Sequence, residues 1–207
     1  MVVRKILFKV LIIIIPLSLG IFFSIYINQG HGSLEDVSAT VLRDAKPLPK
    51  FVLEDHFGNG FTNKNLKNQW SFVFFGYTHC PDVCPTTLAL LNQVDQVLKK
   101  EKGIILPKTI FISVDPERDT IEQLTDYVPY FNPEFIGVTG SMENLQVLTK
   151  SLGIAFGNEG DADNVDYEVF HSTRIMLIDP EVRLKALFSF PHDVNQIVSD
   201  YIKIIGS

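Results

Sequence analysis

The chain is poor in cysteine: 207 residues contain two, Cys80 and Cys84. Two are too few for a scaffold held by disulfides, and their closeness fits one functional pair. The chain also lacks a basic excess. Its formal net charge is -6, and once Arg4, Lys5 and Lys9 are set aside, 15 basic residues face 24 acidic ones. That balance excludes the basic footprint that nucleic-acid binding needs. No internal repeat or low-complexity segment is present. The first 27 residues contain no acid, Asn28 to Ser33 offers no small-residue cleavage site, and no cysteine stands there to carry a lipid. An Arg- and Ser-rich transit segment is also missing.

What the N-terminus does have is an apolar stretch from Val10 to Ile27, interrupted by Ser18, Ser24, Pro16 and Gly20. It is long enough to span a bilayer as a helix. The basic residues before it predict that the N-terminus stays in the cytoplasm and the bulk of the chain lies outside. For a bacterial source this is a single-pass protein of the inner (cytoplasmic) membrane with its soluble domain on the periplasmic side. Residues 1–27 are therefore predicted to be a retained anchor, 28–50 a linker, and 51–207 the folded domain.

Within that domain, Lys50 to Asp55 reads as a short strand, and residues 57–61 as a turn into a second. Thr62 is placed to cap a brief helix through Leu66. Gln69 to Tyr77 is an apolar, β-branched and aromatic run that predicts a buried central strand. Helical spacing of Leu88, Leu91, Val97 and Leu98 predicts a helix over Pro85 to Lys100. A strand over Lys108 to Val114, a helix over Ile121 to Tyr130, a strand over Phe135 to Thr139 and a helix from Ser141 to Leu152 follow. Gly157 to Asp166 reads as an acidic loop. Strands over Ser172 to Ile178 and Leu184 to Phe190 and a helix over Asp193 to Ile205 close the chain. This alternation predicts an α/β domain with a mixed sheet flanked by helices, thioredoxin-like, with an N-terminal β-hairpin extension.

The chemistry centres on Phe72 to Pro85, where the central strand hands over to a helix. Cysteines four apart at a helix start share one face, and the free N–H groups and positive dipole end predict stabilised thiolates. Three uses stay open: a structural disulfide, a cycling redox pair, or metal ligation. A disulfide there closes only a tiny loop and constrains the unfolded chain little. The histidines are His31, His56, His79, His171 and His192. His31 and His56 read as solvated, His79 as a neighbour that tunes the thiolate, and His192 as a loop residue. His171 is either a surface histidine or a third ligand. Two thiolates and an imidazole suit copper better than a four-ligand zinc site. Asp82, Asp115 and Asp119 read as caps or turn residues whose loops border the site.

The segments Phe75-Gly76-Tyr77-Thr78-His79-Cys80-Pro81-Asp82-Val83-Cys84-Pro85, Phe111 to Thr120, Val138-Thr139-Gly140, and Asp166-Tyr167 with His171-Ser172 resemble the Sco/SenC family. The resemblance runs from about Phe51 to the C-terminus. It implies a tethered thioredoxin-like domain that binds copper, as Cu(I) or Cu(II), through Cys80, Cys84 and His171. It implies a metallochaperone role in assembling the dinuclear copper centre of cytochrome c oxidase subunit II, or contact with another copper or thiol client. The enzyme alternative is a thiol-disulfide reductase using Cys80 and Cys84; a redox or copper sensor is a third reading. Two positions depart from the family pattern: Phe170 stands where an acid usually precedes the histidine, and Val182 where a turn usually carries glycine.

Overall fold

The run Ser71-Phe-Val-Phe-Phe-Gly76 can only be stable with both faces covered, and the fold is built around it. In a computed structural model that describes residues 37–159 and 168–206, this run is strand β4 (Ser71–Gly76), buried at every residue. Before it come β1 (Thr40–Pro47), β2 (Val52–Asp55), β3 (Gly60–Thr62) and the short helix α1 (Asn63–Leu66). After it come α2 (Val83–Leu98), β5 (Lys108–Ser113), α3 (Ile121–Phe131), β6 (Ile136–Thr139) and α4 (Met142–Leu152). The chain ends with β7 (Phe156–Glu159), β8 (Glu168–His171), β9 (Ile175–Ile178), β10 (Arg183–Phe188) and α5 (Val194–Ile205).

Eight strands form one mixed sheet in the order β1-β10-β9-β4-β5-β6-β2-β3. β4 runs parallel to β5 and antiparallel to β9, and β5 runs parallel to β6. The near-continuous apolar sequences of β4, β5 and β9 are those of strands covered on both faces. Helix α2 turns Leu88, Leu91, Val94 and Leu98 inward at helical spacing, as the periodicity predicts. The Thr120 and Ser141 hydroxyls accept the N–H groups of Gln123 and Asn144 and so cap α3 and α4. Gly153 ends α4 in the left-handed conformation at φ 70. The predicted hairpin extension is β2 with β3, and Thr62 caps α1 while its own N–H donates back to Asn65 Oδ1.

Two sequence expectations are corrected. The segment read as linker contains β1, which pairs antiparallel with β10 from Thr40↔Leu187 to Pro47↔Arg183. The folded domain therefore starts a dozen residues earlier than Phe51. Its strand was hidden because β1 is an edge strand, exposed or half-exposed along its length, and carries no buried alternation. The acidic loop begins and is followed by strands: β7 and β8 pair antiparallel in a separate two-stranded sheet.

Ser38–Asp200 forms one compact unit, and from Tyr201 onward α5 belongs to a second. Among the described residues no helix is long and apolar enough to cross a membrane. The anchor predicted at residues 1–27 and His31 lie outside the described residues.

Candidate functional site

The parallel strands β4 and β5 end side by side, with Gly76 opposite Ser113. The chain leaves β4 through Tyr77, and the Cys80 N–H donates to the Tyr77 carbonyl at 3.3 Å, which turns it toward α2. The helix begins at Val83, two residues later than Pro81. Pro85 falls in its first turn, where no N–H is needed. Cys84 sits in that same turn, and its N–H donates to Cys80 Sγ at 3.4 Å. One of the unpaired donors of the helix start is thus aimed at sulfur, as the sequence predicts.

Neither cysteine is in a disulfide, but their surroundings differ. Cys84 is fully buried, and Cys80 is partly exposed. The expectation of two stabilised thiolates fails for Cys84. Its thiol is pushed well above the ordinary range, first by its hydrogen bond to Cys80, then by burial, then by the charge of Cys80. Burial penalises an isolated thiolate more than the helix dipole favours it. A soft cation close to both sulfurs would reverse this, because a bound metal deprotonates a coordinating thiol.

A β-carbon on Gly76 would lie 2.7 Å from Cys84 Sγ and 2.7 Å from Phe111 Cε2. Gly76 is therefore what lets the buried sulfur approach the end of β4.

The loop before Cys80 is held from below by Asp119. This carboxylate is fully buried. It accepts the Thr78 N–H at 2.9 Å, the Thr78 hydroxyl at 2.6 Å and the Ser113 hydroxyl at 2.6 Å. His79, half exposed, lies with Nδ1 3.7 Å from an oxygen of Asp119 and 3.1 Å from the Thr78 hydroxyl. The sequence reading made Asp119 a helix-start residue. Thr120 is the cap, and Asp119 faces the cysteine loop. Nothing in the local pattern could show this, because its partners lie up to 41 positions away. Asp115 does sit in a turn, paired with Arg118 at 2.5 Å. Asp82 precedes α2 and accepts from the Thr86 hydroxyl at 3.3 Å.

His171 is the last residue of β8, its backbone paired with Phe156 of β7. Four residues later the chain enters β9, where Ile175 pairs with Phe74. Since β9 is antiparallel to β4, its entry lies at the end of the sheet from which the cysteine loop emerges. The topology therefore directs the segment carrying His171 to the cysteine end. His56, read as solvated, is instead buried, and its Nδ1 accepts the Gly137 N–H at 2.9 Å. His192 donates from Nε2 to the Thr173 carbonyl at 2.9 Å, and burial lowers its pKa. Among the described residues, no set of three or more His, Cys, Asp and Glu side chains is gathered for a metal. The two sulfurs are soft, adjacent and bracketed by a helix start, and as a donor pair they fit a thiophilic ion such as Cu(I).

Known proteins resemble this chain in sequence and fold. The chain is 38% identical over 149 residues to the mitochondrial SCO1 homolog 1 of Arabidopsis thaliana, covering 72% of this chain and 44% of that protein. It is 36% identical over 178 residues to the mitochondrial SCO2 homolog of Bos taurus, covering 86% and 67%. The crystal structure of Arabidopsis thaliana ScoI with copper bound superposes with a TM-score of 0.71 at 36% identity, covering 76% of this chain and 97% of that one. The SCO1/SenC family model matches residues 41–206, a span that starts inside β1 and takes in the cysteine loop, Asp119 and His171, and on that match the chain belongs to the SCO1/SenC family.

Proposed function

We propose that the protein is a membrane-anchored copper-binding protein that assists assembly of the dinuclear copper centre of cytochrome c oxidase subunit II. Copper, as Cu(I) or Cu(II), is its cargo, held by Cys80, Cys84 and His171. The observation that carries the reading is the pair of reduced cysteines brought together at one helix start, with the Cys84 N–H on Cys80 Sγ at 3.4 Å. The topology of β8 and β9 supports the third ligand. The copper held by the similar Arabidopsis ScoI structure supports the choice of metal. The apolar stretch from Val10 to Ile27 supports the anchor, and the basic residues before it support a domain on the periplasmic side of a bacterial inner membrane.

The chain's own residues divide the work. Partly exposed Cys80 is the point of entry and exit for a ligand-exchange transfer to a client's thiolates. Buried Cys84 gives up its proton on ligation, so copper loading releases protons and strengthens as pH rises. Asp119 and Thr78 hold the loop so that the two sulfurs stay paired.

A second reading, a thiol-disulfide reductase acting through the same cysteines, is favoured by the thiols' mutual contact. One measurement separates the two. Copper bound per reduced full-length chain is determined for wild type and His171→Ala, alongside the rate of Cys80–Cys84 oxidation. The copper reading expects one copper per wild-type chain, a strong loss in His171→Ala and unchanged oxidation. Wild-type protein that holds no stoichiometric copper would overturn it.

A further inference from the structure

At the cysteine end of the sheet, the ladder between β9 and β10 stops at the pair Ile175↔Phe188. Beyond it the two chains part. One runs back from Ile175 through Arg174, Thr173 and Ser172 to His171; the other runs on from Phe188 through Ser189, Phe190 and Pro191 to His192. Ser172, Thr173 and Arg174 line a cleft of about 510 Å³ together with Ser189 and Phe190. The connection from β8 to β9 therefore borders open space, where packing alone holds it weakly.

A side chain bridges the two segments where the ladder has ended. His192 Nε2 lies 2.9 Å from the Thr173 carbonyl oxygen. A carbonyl only accepts, so Nε2 carries the hydrogen. The other ring nitrogen, Nδ1, is buried and has no partner among the described residues, so the hydrogen bonding of the ring is committed to Thr173. The ring is steadied by an edge contact with Phe190 at 5.9 Å and 83°. Its backbone is fixed as well, because the next residue, Asp193, caps α5 by accepting the Gln196 N–H at 2.9 Å. His192 thus projects from a held helix start onto a connection that the sheet no longer holds.

Thr173 stands two residues past His171. Two residues of chain span at most about 7 Å, so a fixed Thr173 confines the His171 backbone to a small region at the cysteine end. We propose that His192 is a positioning residue for the third copper ligand: its Nε2–H bond to the Thr173 carbonyl pins the base of the β8–β9 connection and sets where His171 can reach. The inference rests on the reading of His171 as a ligand, and it adds a residue outside the ligand set that governs how well that ligand is presented.

The test uses the reduced full-length chain with His192→Leu, which removes the donor, and His192→Gln, whose side-chain N–H can reach the same carbonyl. Metal-free, His192→Leu should be nicked by trypsin after Arg174 about fivefold faster than wild type, the size of one neutral hydrogen bond, while cleavage after Lys102, exposed beyond the end of α2, stays unchanged. Loaded with Cu(I), it should lose copper to a competing chelator about fivefold more readily. In a His171→Ala background, His192→Leu should change copper retention no further, because the ligand it positions is gone. His192→Gln should restore both the nicking rate and copper retention toward wild type. Faster cleavage at Arg174 and Lys102 alike would overturn the inference, since the loss would then be of global stability. A His192→Gln chain as impaired as His192→Leu would overturn it too, because the hydrogen bond would not be the cause. A His192→Leu chain that holds copper as wild type does would overturn this inference alone; wild type that takes up no copper would overturn the proposed function with it.

Discussion

Replacing Asp119 by alanine is the sharpest test of how the cysteine loop is held. The carboxylate is fully buried and accepts three hydrogen bonds, two from Thr78 and one from Ser113. A hydrogen bond to a charged group contributes about 1.5–3 kcal/mol, so the gross loss reaches several kcal/mol. Two effects reduce it. Removing a buried carboxylate also removes its desolvation penalty, and partly exposed Thr78 can turn its hydroxyl to water. The Ser113 side chain cannot, because it is buried and already accepts the Asp115 N–H at 3.0 Å. The expected net cost of Asp119→Ala is about 2–4 kcal/mol, read as a lower urea midpoint at unchanged slope. Asp119→Asn keeps one acceptor oxygen and should cost about half as much. Freed from Thr78, the loop should also expose Cys80, so alkylation of the reduced protein should be faster in Asp119→Ala. An alanine variant within about 0.5 kcal/mol of wild type, or an asparagine variant as costly as alanine, would refute the argument, the second because a side chain of the same volume with one acceptor oxygen would then retain none of the hydrogen-bond stabilisation.

Gly76→Ala should displace the buried sulfur, since its β-carbon would meet Cys84 Sγ and Phe111 at 2.7 Å; a loss of about 1–3 kcal/mol in urea unfolding and weaker copper retention in the same protein are expected. Val182 has φ 64, a left-handed conformation that costs an L residue about 1–2 kcal/mol. Val182→Gly trades that strain against a buried side chain and should fall within about 1 kcal/mol of wild type by chemical denaturation, below the usual cost of emptying a buried valine site. Burial holds the folded-state pKa of His192 below its ordinary value of 6.5. The unfolded chain therefore binds its proton first, so this contribution to stability is present above the unfolded pKa and is lost as pH falls toward the folded one. Unfolding midpoints between pH 7.5 and 5.5 should fall for wild type and change less for His192→Gln.

The elements with strong local signals were legible without coordinates. The apolar run of β4, the spacing of Leu88, Leu91 and Leu98, and the capping residues Thr62 and Ser141 each act within a few positions, and each element formed where that local physics puts it. Cys80 and Cys84 met at a helix start because both the turn and the helix are written in contiguous sequence. What failed locally was what long-range contacts supply. β1 exists because β10, about 140 positions away, offers it an edge. Histidine burial was likewise invisible: His56 is buried and accepts the N–H of Gly137 of β6, 81 positions on.

The sequence alone therefore determined the family, the central strands with their helices and the meeting of two cysteines at a helix start, since each depends on residue types at short spacing. The tertiary structure decided the rest. It raised the pKa of the Cys84 thiol through its hydrogen bond to Cys80 and its burial, made Asp119 the anchor of the loop, and brought the segment carrying His171 to the cysteine end. Each of these depends on which distant groups exclude water from one another, and that is a property of the packed sheet rather than of any stretch of the chain.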